Sequence, residues 1–161
     1  MDHEARKRVL RSVPYGLYAL GVAGGAGEAP HGALVAWLTQ VSFEPPMIAV
    51  ALERESRTRS LVRRAGAFAV TVLPVAARAL ASRLGRPTDA AQRTLVGVAH
   101  HPAPSSGAPV FDEGMGWLDC RLRGETPAGD HVLVVADVVD AGVLREGETL
   151  TLATTGWRYA G

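Results

Sequence analysis

Short apolar runs, each closed by glycine, proline or charge, constrain the fold of this 161-residue chain more than any other feature. The clearest run is 47–52, which stands directly before the charged stretch 53–57. Runs of this length are typical of β-strands that are covered on both faces. In total, the sequence predicts six to eight strands. Besides 47–52 and a short candidate at 94–98, the predicted strands are 15–23, 32–41, 68–73, 116–123, 131–141 and 150–159.

Helical patterns are fewer and shorter than the strand patterns. Charges and good helix formers predict an exposed helix over 2–11, ending before Pro14. A second helix is predicted to start at Ser56 or Thr58 and end at Gly66, and an alanine-rich third covers 75–84. Because helices do not alternate regularly with strands, the pattern favours a mainly β fold, an antiparallel barrel with a few short helices, over a doubly wound parallel sheet.

Charge and composition exclude several classes of protein. The formal net charge of +1 argues against a nucleic-acid-binding protein. No apolar stretch is long enough for a membrane span, and the N-terminus does not have the pattern of a secretory signal. The single cysteine, Cys120, is expected to pack as a small hydrophobe. We therefore expect a cytoplasmic protein with one domain over 1–161.

The segment 86–112 is rich in proline, glycine and serine, which predicts a long irregular loop. His100 and His101 stand together within it, but no second cluster has the spacing of metal ligands, so no metal site is expected. Neither a dinucleotide-binding glycine fingerprint nor a Walker pattern appears in the chain.

Three segments are candidates for binding chemistry. In 36–46, polar residues interrupt an apolar strand before Pro45 and Pro46, which cannot donate to a strand ladder and should end it. In 56–58, two hydroxyls and Arg57 stand at a predicted helix start, where unpaired N–H groups suit a phosphate. In 129–131, a Gly-Asp turn presents His131 at the start of a strand. Each segment also has a purely structural interpretation, as a strand end, a helix cap and a surface turn.

Taken in order, these segments resemble the flavin reductase-like family, the FMN-binding split β-barrels. The resemblance extends over 13–161 and depends on Thr39-Gln-Val-Ser-Phe-Glu-Pro-Pro46, Ser56-Arg-Thr58 and Gly129-Asp-His131, with support from 66–73 and 155–161. It implies an antiparallel split β-barrel that binds FMN, with FAD as the alternative, and takes hydride from NADH or NADPH. It also implies a homodimer and a separate electron acceptor such as a monooxygenase.

The resemblance assigns roles to individual residues. The isoalloxazine and ribityl chain would run along 36–42, largely through backbone groups. Ser56, Arg57 and Thr58 would hold the phosphate, and His131 would lie on the nicotinamide side. The segment along the flavin consists of Ala36, Trp37, Leu38, Thr39, Gln40 and Ser42.

The chain departs from the family pattern at two positions. Leu34 stands where the family often has threonine, and Leu84 stands where many members have phenylalanine. Leu84 and the loop 86–112 keep a second hypothesis open, a non-catalytic FMN electron carrier or flavin-storage protein. A haem- or pyridoxal-phosphate-binding relative is a third.

Overall fold

The computed structural model describes residues 1–86 and 95–157. Within these ranges the chain forms nine β-strands and four α-helices, which confirms the predicted mainly β fold. The strands are β1 (Tyr18–Val22), β2 (His31–Val35), β3 (Leu38–Ser42), β4 (Met47–Glu53), β5 (Ala67–Val72), β6 (His100–Pro102), β7 (Pro109–Phe111), β8 (Gly116–Ala128) and β9 (His131–Val143). The helices are α1 (His3–Ser12), α2 (Arg57–Ala65), α3 (Arg78–Leu84), which follows a 3-10 turn at Val75–Ala77, and α4 (Leu152–Thr155).

Seven strands form one antiparallel sheet in the order β2-β1-β5-β8-β9-β4-β3. The two edge strands, β2 and β3, are consecutive in the chain, and only Ala36 and Trp37 separate them. Six inter-strand spacings would hold the edges of a flat sheet about 29 Å apart. Three Cα–Cα steps, from Val35 to Leu38, span at most about 11 Å. The sheet therefore has to curl until its edges approach each other, which gives a barrel that is split along one side.

Two apolar clusters support this curled sheet. The larger one fills the barrel with side chains from β1, β4, β5, β8, β9 and α2, among them Leu20, Val50, Val62, Phe68 and Val134. The second packs α3 and Leu150 against the outside of β1, around Leu17, Leu73 and Phe111. Strand β9 shows the alternation that a one-sided core requires, since Val132, Val134 and Ala136 are buried while Leu133 is exposed.

Helix α2 begins where the sequence predicts. Ser56 is its N-cap, and its hydroxyl oxygen accepts a hydrogen bond from the N–H of Arg59 at 3.2 Å. Gly66 ends the helix at a φ of 68°, a conformation that glycine adopts without a steric penalty. Thr58, Leu61 and Val62 are buried, and their spacing places them on one face of the helix. This face packs against β1, β2, β4 and β5, which fixes the helix start relative to the sheet.

Three predicted strands need correction. The run 32–41 divides into β2 and β3, because the chain has to cross from one sheet edge to the other at Ala36 and Trp37. The run 94–98 is not a strand where it is described, since residues 95–97 form a turn; Thr94 lies outside the described residues. The run 150–159 forms α4 instead, because Thr151 and Thr154 make a reciprocal capping box. Its last two residues also lie outside the described ranges.

The described part of the predicted loop 86–112 carries the hairpin of β6 and β7. Its turn is tied to the sheet by the buried Asp119, whose Oδ2 accepts hydrogen bonds from the N–H groups of Ser105 and Ser106 at 2.8 and 3.0 Å. The next residue, Cys120, is fully buried, which confirms its predicted packing role. Burial, followed by the nearby Asp119 carboxylate, raises the pKa of the thiol to about 12, so it stays protonated and unreactive.

No helix in 1–86 or 95–157 is both long and apolar enough to cross a lipid bilayer.

Candidate functional site

A cleft of about 630 Å³ lies beside the split in the barrel. Its size is within the range of sites that enclose cofactor-sized ligands. Residues from β2, the Ala36–Trp37 crossover, the end of β4, the start of α2, the end of α3 and the start of β9 line it. The cleft is therefore formed where the edge strand β2 and the crossover meet the ends of two other strands and three helices, since Leu152 of α4 also lines it.

The start of α2 gives one part of the cleft its polar character. Ser56, Arg57 and Thr58 all line it, as the sequence predicts. The first amides of a helix have no intrahelical acceptors, and the helix dipole places partial positive charge there. The guanidinium of Arg57 adds a full positive charge. Together these groups have the chemistry of a phosphate site.

The hydroxyl of Ser56 is committed within the protein. Its Oγ donates a hydrogen bond to the Glu53 carbonyl at 2.8 Å and accepts one from the Arg59 N–H. Because the single hydroxyl proton points at Glu53, Ser56 contributes to the site by capping the helix. The other predicted hydroxyl, that of Thr58, is not used for capping the helix.

Thr58 contacts a histidine that the sequence analysis did not select. His31, at the start of β2, lies in the cleft lining with its Nε2 at 2.9 Å from Oγ1 of Thr58. Both side chains are buried, His31 at 5% and Thr58 at 8% exposure. Burial, followed by the charge of Arg57, lowers the pKa of His31 from 6.5 to about 4. The imidazole is therefore neutral at pH 7.

Trp37 and His131 form a ring wall in another part of the cleft. Their ring centroids lie 4.8 Å apart, and Tyr15 packs against the other side of Trp37 at 6.3 Å. Nδ1 of His131 is 2.7 Å from Oδ1 of Asp130, and this hydrogen bond is the main cause that lowers the pKa of the Asp130 carboxyl. Since the carboxylate accepts from Nδ1–H, the Nε2 side of the ring is left for the cleft.

Two arginines connect the polar part of the cleft to the ring wall. Arg54 hydrogen-bonds through its backbone N–H to the carbonyl of Asp130 at 3.0 Å, and its guanidinium donates to the carbonyl of Gly129. Arg59 donates to the Arg54 carbonyl at 2.8 Å and forms an ion pair with Glu125 on β8 at 2.9 Å. The turn before α2 and the turn before His131 are thus held as one unit.

Apolar side chains complete the cleft. Leu34, Leu84, Leu152 and Trp157 line it. Arg78 fixes the position of Trp157 in two ways, because its guanidinium lies 5.7 Å from the indole centroid and donates to the Thr155 carbonyl at 2.6 Å. A planar, partly apolar ring system fits between such walls, while the polar part suits an anionic group.

The structure brings together six of the ten residues that the sequence selected. Those that line the cleft are Ala36, Trp37, Ser56, Arg57, Thr58 and His131. The other four do not line it and lie further along β3; they are Leu38, Thr39, Gln40 and Ser42. Leu38 packs against the barrel core, while Thr39 and Gln40 are exposed on the sheet-edge strand. The ladder of β3 ends at Ser42, before the two prolines, as predicted.

Sequence reasoning missed several cleft residues, chiefly His31 and Trp157. His31 lies outside the three candidate segments, and only the packing of α2 against β2 brings it to Thr58. Trp157 lies within 155–161, which supported the resemblance, but no role was assigned to it there. His100 and His101 lie outside the cleft lining, and Nδ1 of His101 forms a hydrogen bond with Oδ1 of Asp112 at 2.7 Å. In the described ranges, no group of three or more His, Cys, Asp or Glu side chains is placed to hold a metal ion.

Comparisons with known proteins agree with this geometry. Residues 10–161 match the family model described as flavin reductase like domain. A flavin reductase (NADH) from Kitasatospora aureofaciens is 29% identical over 143 residues, covering 88% of this chain and 73% of that protein.

Two solved structures show the same architecture. BorF, the flavin reductase component of a bacterial two-component tryptophan halogenase, superposes with a TM-score of 0.78 at 26% identity, covering 94% of this chain and 92% of BorF. The NADH:FAD oxidoreductase SgcE6 of Streptomyces globisporus, in complex with NAD and FAD fragments, gives a TM-score of 0.82 at 23% identity, covering 93% and 87%. The second likeness is one of fold.

A split antiparallel barrel with a cleft of this chemistry defines a flavoprotein oxidoreductase. The match over 10–161 shows that the chain belongs to the flavin reductase like family, and NAD(P)H-dependent flavin reduction is the function that this membership supports.

The neutral state of His31 predicts a specific pH dependence of stability. The unfolded chain takes up a proton on this residue near pH 6.5, whereas the folded protein does so only near pH 4. Between these values the unfolded state holds more protons, so the free energy of unfolding falls as the pH falls from 6.5 to 4. The variant His31→Gln has no such proton to take up. We expect its urea midpoint, measured without flavin, to fall less than that of the wild type over this interval.

His3→Gln is the matched control, because it removes an exposed ring in place of a buried one. Parallel midpoint curves for the wild type and His31→Gln from pH 7 to pH 4 would contradict a neutral, buried His31.

Proposed function

We propose that this flavin reductase binds FMN in the cleft, with the phosphate at the start of α2 and the isoalloxazine beside Trp37 and His131. The observation that carries the proposal is the presence of both chemistries in one cleft, a helix start with Arg57 and Thr58 and a wall of rings. The helix start suits a terminal phosphate monoester, and the wall of rings suits a flat ring system.

The residues present fit the reaction. When bound, the flavin supplies the redox chemistry by accepting a hydride from the nicotinamide, and the protein's task is to bind and orient the two ring systems. His131, held through Nδ1 by Asp130, presents one edge at a fixed orientation beside Trp37. Leu34, Leu84 and Trp157 give the cleft an apolar lining. A hydride transfer requires no side-chain acid or base, and we assign neither role to any of these residues.

An anaerobic titration of the FMN-loaded protein tests the proposal. Addition of NADH, and separately of NADPH, should bleach the visible absorption band of the flavin rapidly, and the faster donor identifies the preferred nucleotide. The variant His131→Ala should bind FMN with nearly unchanged affinity but bleach more slowly, on the order of tenfold, because one element that orients the donor is lost. A bound flavin that neither nucleotide bleaches would favour the electron carrier instead.

The phosphate assignment makes a separate prediction that compares FMN with riboflavin, which differs only by the phosphate. Thr58→Val should weaken FMN binding by roughly 1.5–2 kcal/mol, or about 10- to 30-fold, the range for a hydrogen bond to a charged group. Riboflavin affinity should stay constant. Isothermal titration calorimetry at one pH and salt concentration measures both.

Ser56→Ala is the contrasting variant, because the hydroxyl of Ser56 caps α2 and donates to Glu53. It should lower thermal stability without changing the ratio of FMN to riboflavin affinity. An unchanged ratio in Thr58→Val would remove the phosphate from the start of α2. Including FAD in the same series measures whether the site prefers FMN.

We also propose that the protein is a homodimer that associates through the outer face of β3, β4 and β9. Strand β3 is a sheet edge with one described partner, and Val41 on it is 51% exposed. Leu133, on the outward face of β9, is 38% exposed. An unpaired edge beside exposed apolar side chains is a surface that natural proteins usually cover.

Sedimentation velocity at micromolar concentration should give twice the mass of the chain. Replacing Leu133 and Val41 together by aspartate should shift the protein to a monomer, whereas Val9→Asp on the exposed helix α1 should leave it a dimer. A monomeric wild type would contradict the proposal.

The physiological acceptor of the reduced flavin belongs to the same proposal. BorF is named as the reductase component of a two-component halogenase. A small reductase without a second chemical centre in the described residues suits transfer to a separate oxygenase. The single-domain organisation over 1–161 and a cytoplasmic location, where NAD(P)H is supplied, remain predictions.

A further inference from the structure

His31 occupies a position that a purely structural histidine does not need. It lies in the lining of the cleft, is 5% exposed, and its Nε2 is 2.9 Å from Oγ1 of Thr58. Thr58 is on the buried face of α2, two residues after the N-cap. The imidazole therefore reaches the hydroxyl that faces the proposed phosphate site from inside the barrel.

The direction of this hydrogen bond decides what Thr58 can do. A hydroxyl has one proton to donate and lone pairs to accept with. If Thr58 donates to Nε2, its oxygen lone pairs are what remain for the cleft, and they repel an anion. If Nε2–H donates to Thr58, the hydroxyl proton is left for a phosphate oxygen. A neutral imidazole has both tautomers available to it, so a bound anion selects the second arrangement.

We propose that His31 is a positioning residue for the flavin phosphate: its Nε2–H donates to Oγ1 of Thr58 and so directs the hydroxyl proton of Thr58 at the phosphate. This inference rests on the proposed binding of FMN at the start of α2. It assigns His31 a specific effect, selection of phosphorylated flavin over riboflavin, and no contact with the reacting rings.

The second ring nitrogen and the burial of His31 support this assignment. The neutral ring can carry its proton on either nitrogen at little cost. In its place, an amide nitrogen would always donate, and a hydroxyl would rotate freely. Because burial and Arg57 keep the ring uncharged without ligand, His31 adds no charge that would attract anions in general. Its contribution is directional, through Thr58.

Two amide variants test the proposal with matched chemistry. In His31→Gln, the amide nitrogen reaches about as far as Nε2 and can still donate to Thr58. In His31→Asn, the same amide is one methylene shorter and cannot reach. We expect His31→Asn to lower FMN affinity about tenfold with riboflavin affinity unchanged within twofold, and His31→Gln to restore most of the loss. Both variants place a polar amide at the site, and circular dichroism and thermal melting check their folding.

Combining these variants with Thr58→Val separates positioning from a general structural effect. If His31 acts through Thr58, His31→Asn has no further effect on the ratio of FMN to riboflavin affinity once the hydroxyl is gone. An equal loss for both flavins, an unchanged ratio in His31→Asn, or the same loss in the Thr58→Val background would each overturn the proposal. Should Thr58→Val alone leave the ratio unchanged, the phosphate site itself fails and the inference fails with it.

Nitrogen-15 NMR of histidine-labelled protein gives a direct reading of the tautomer. In the FMN complex, Nε2 of His31 should carry the proton. An unprotonated Nε2 in that complex would refute the assignment even if the affinities changed as expected.

Discussion

The short crossover at Ala36 and Trp37 is the constraint on which the rest of the structure depends. It joins the two edges of a seven-stranded sheet across a gap that only a curled sheet can close. The two crossover residues belong to neither β2 nor β3, and the side chains of both line the cleft. The crossover connects β2 to β3 along the chain, but the two strands are the opposite ends of the sheet order, so the barrel is split between them. The cleft lies beside this split, because the crossover residues line it.

Charged residues around α2 and β9 connect two turns that border the cleft. Arg59 links the turn before α2 to Glu125, and Arg54 links that turn to the turn before His131. The start of α2 and the ring wall come from separate elements, and these hydrogen bonds join the turns that precede them. Exposed ion pairs contribute little stability. Only the Arg59–Glu125 pair of this set is partly buried, and the set acts by connecting the two turns that border the cleft. Positioning of that kind is what a cofactor-dependent enzyme requires of its protein.

The sequence revealed the local elements well and their long-range assembly poorly. The N-cap at Ser56, the end of β3 before the prolines and the turn before His131 are set by neighbours within a few residues, so composition and spacing were enough to predict them. The crossover within 32–41 and the pairing of His31 with Thr58 depend on strand order, which no local pattern records. The strand prediction at 150–159 was wrong because the threonines and aromatic residues of this run favour strands, whereas the capping box of Thr151 and Thr154 stabilises the start of a helix.

The cleft has a polar part, an aromatic wall and an apolar lining. This composition explains why the sequence of a reductase can contain no recognisable catalytic cluster. Hydride transfer between two cofactors needs distance and orientation, both of which come from rigid surfaces. The groups that supply them here are an aromatic wall, a helix start and a leucine-lined side, each of which has an ordinary structural interpretation when considered alone. The polar residues that have unusual surroundings, His31 and Thr58, lie at the start of α2, where we propose that the phosphate binds. Under that proposal, specificity for the flavin depends on polar contacts made away from the reacting rings.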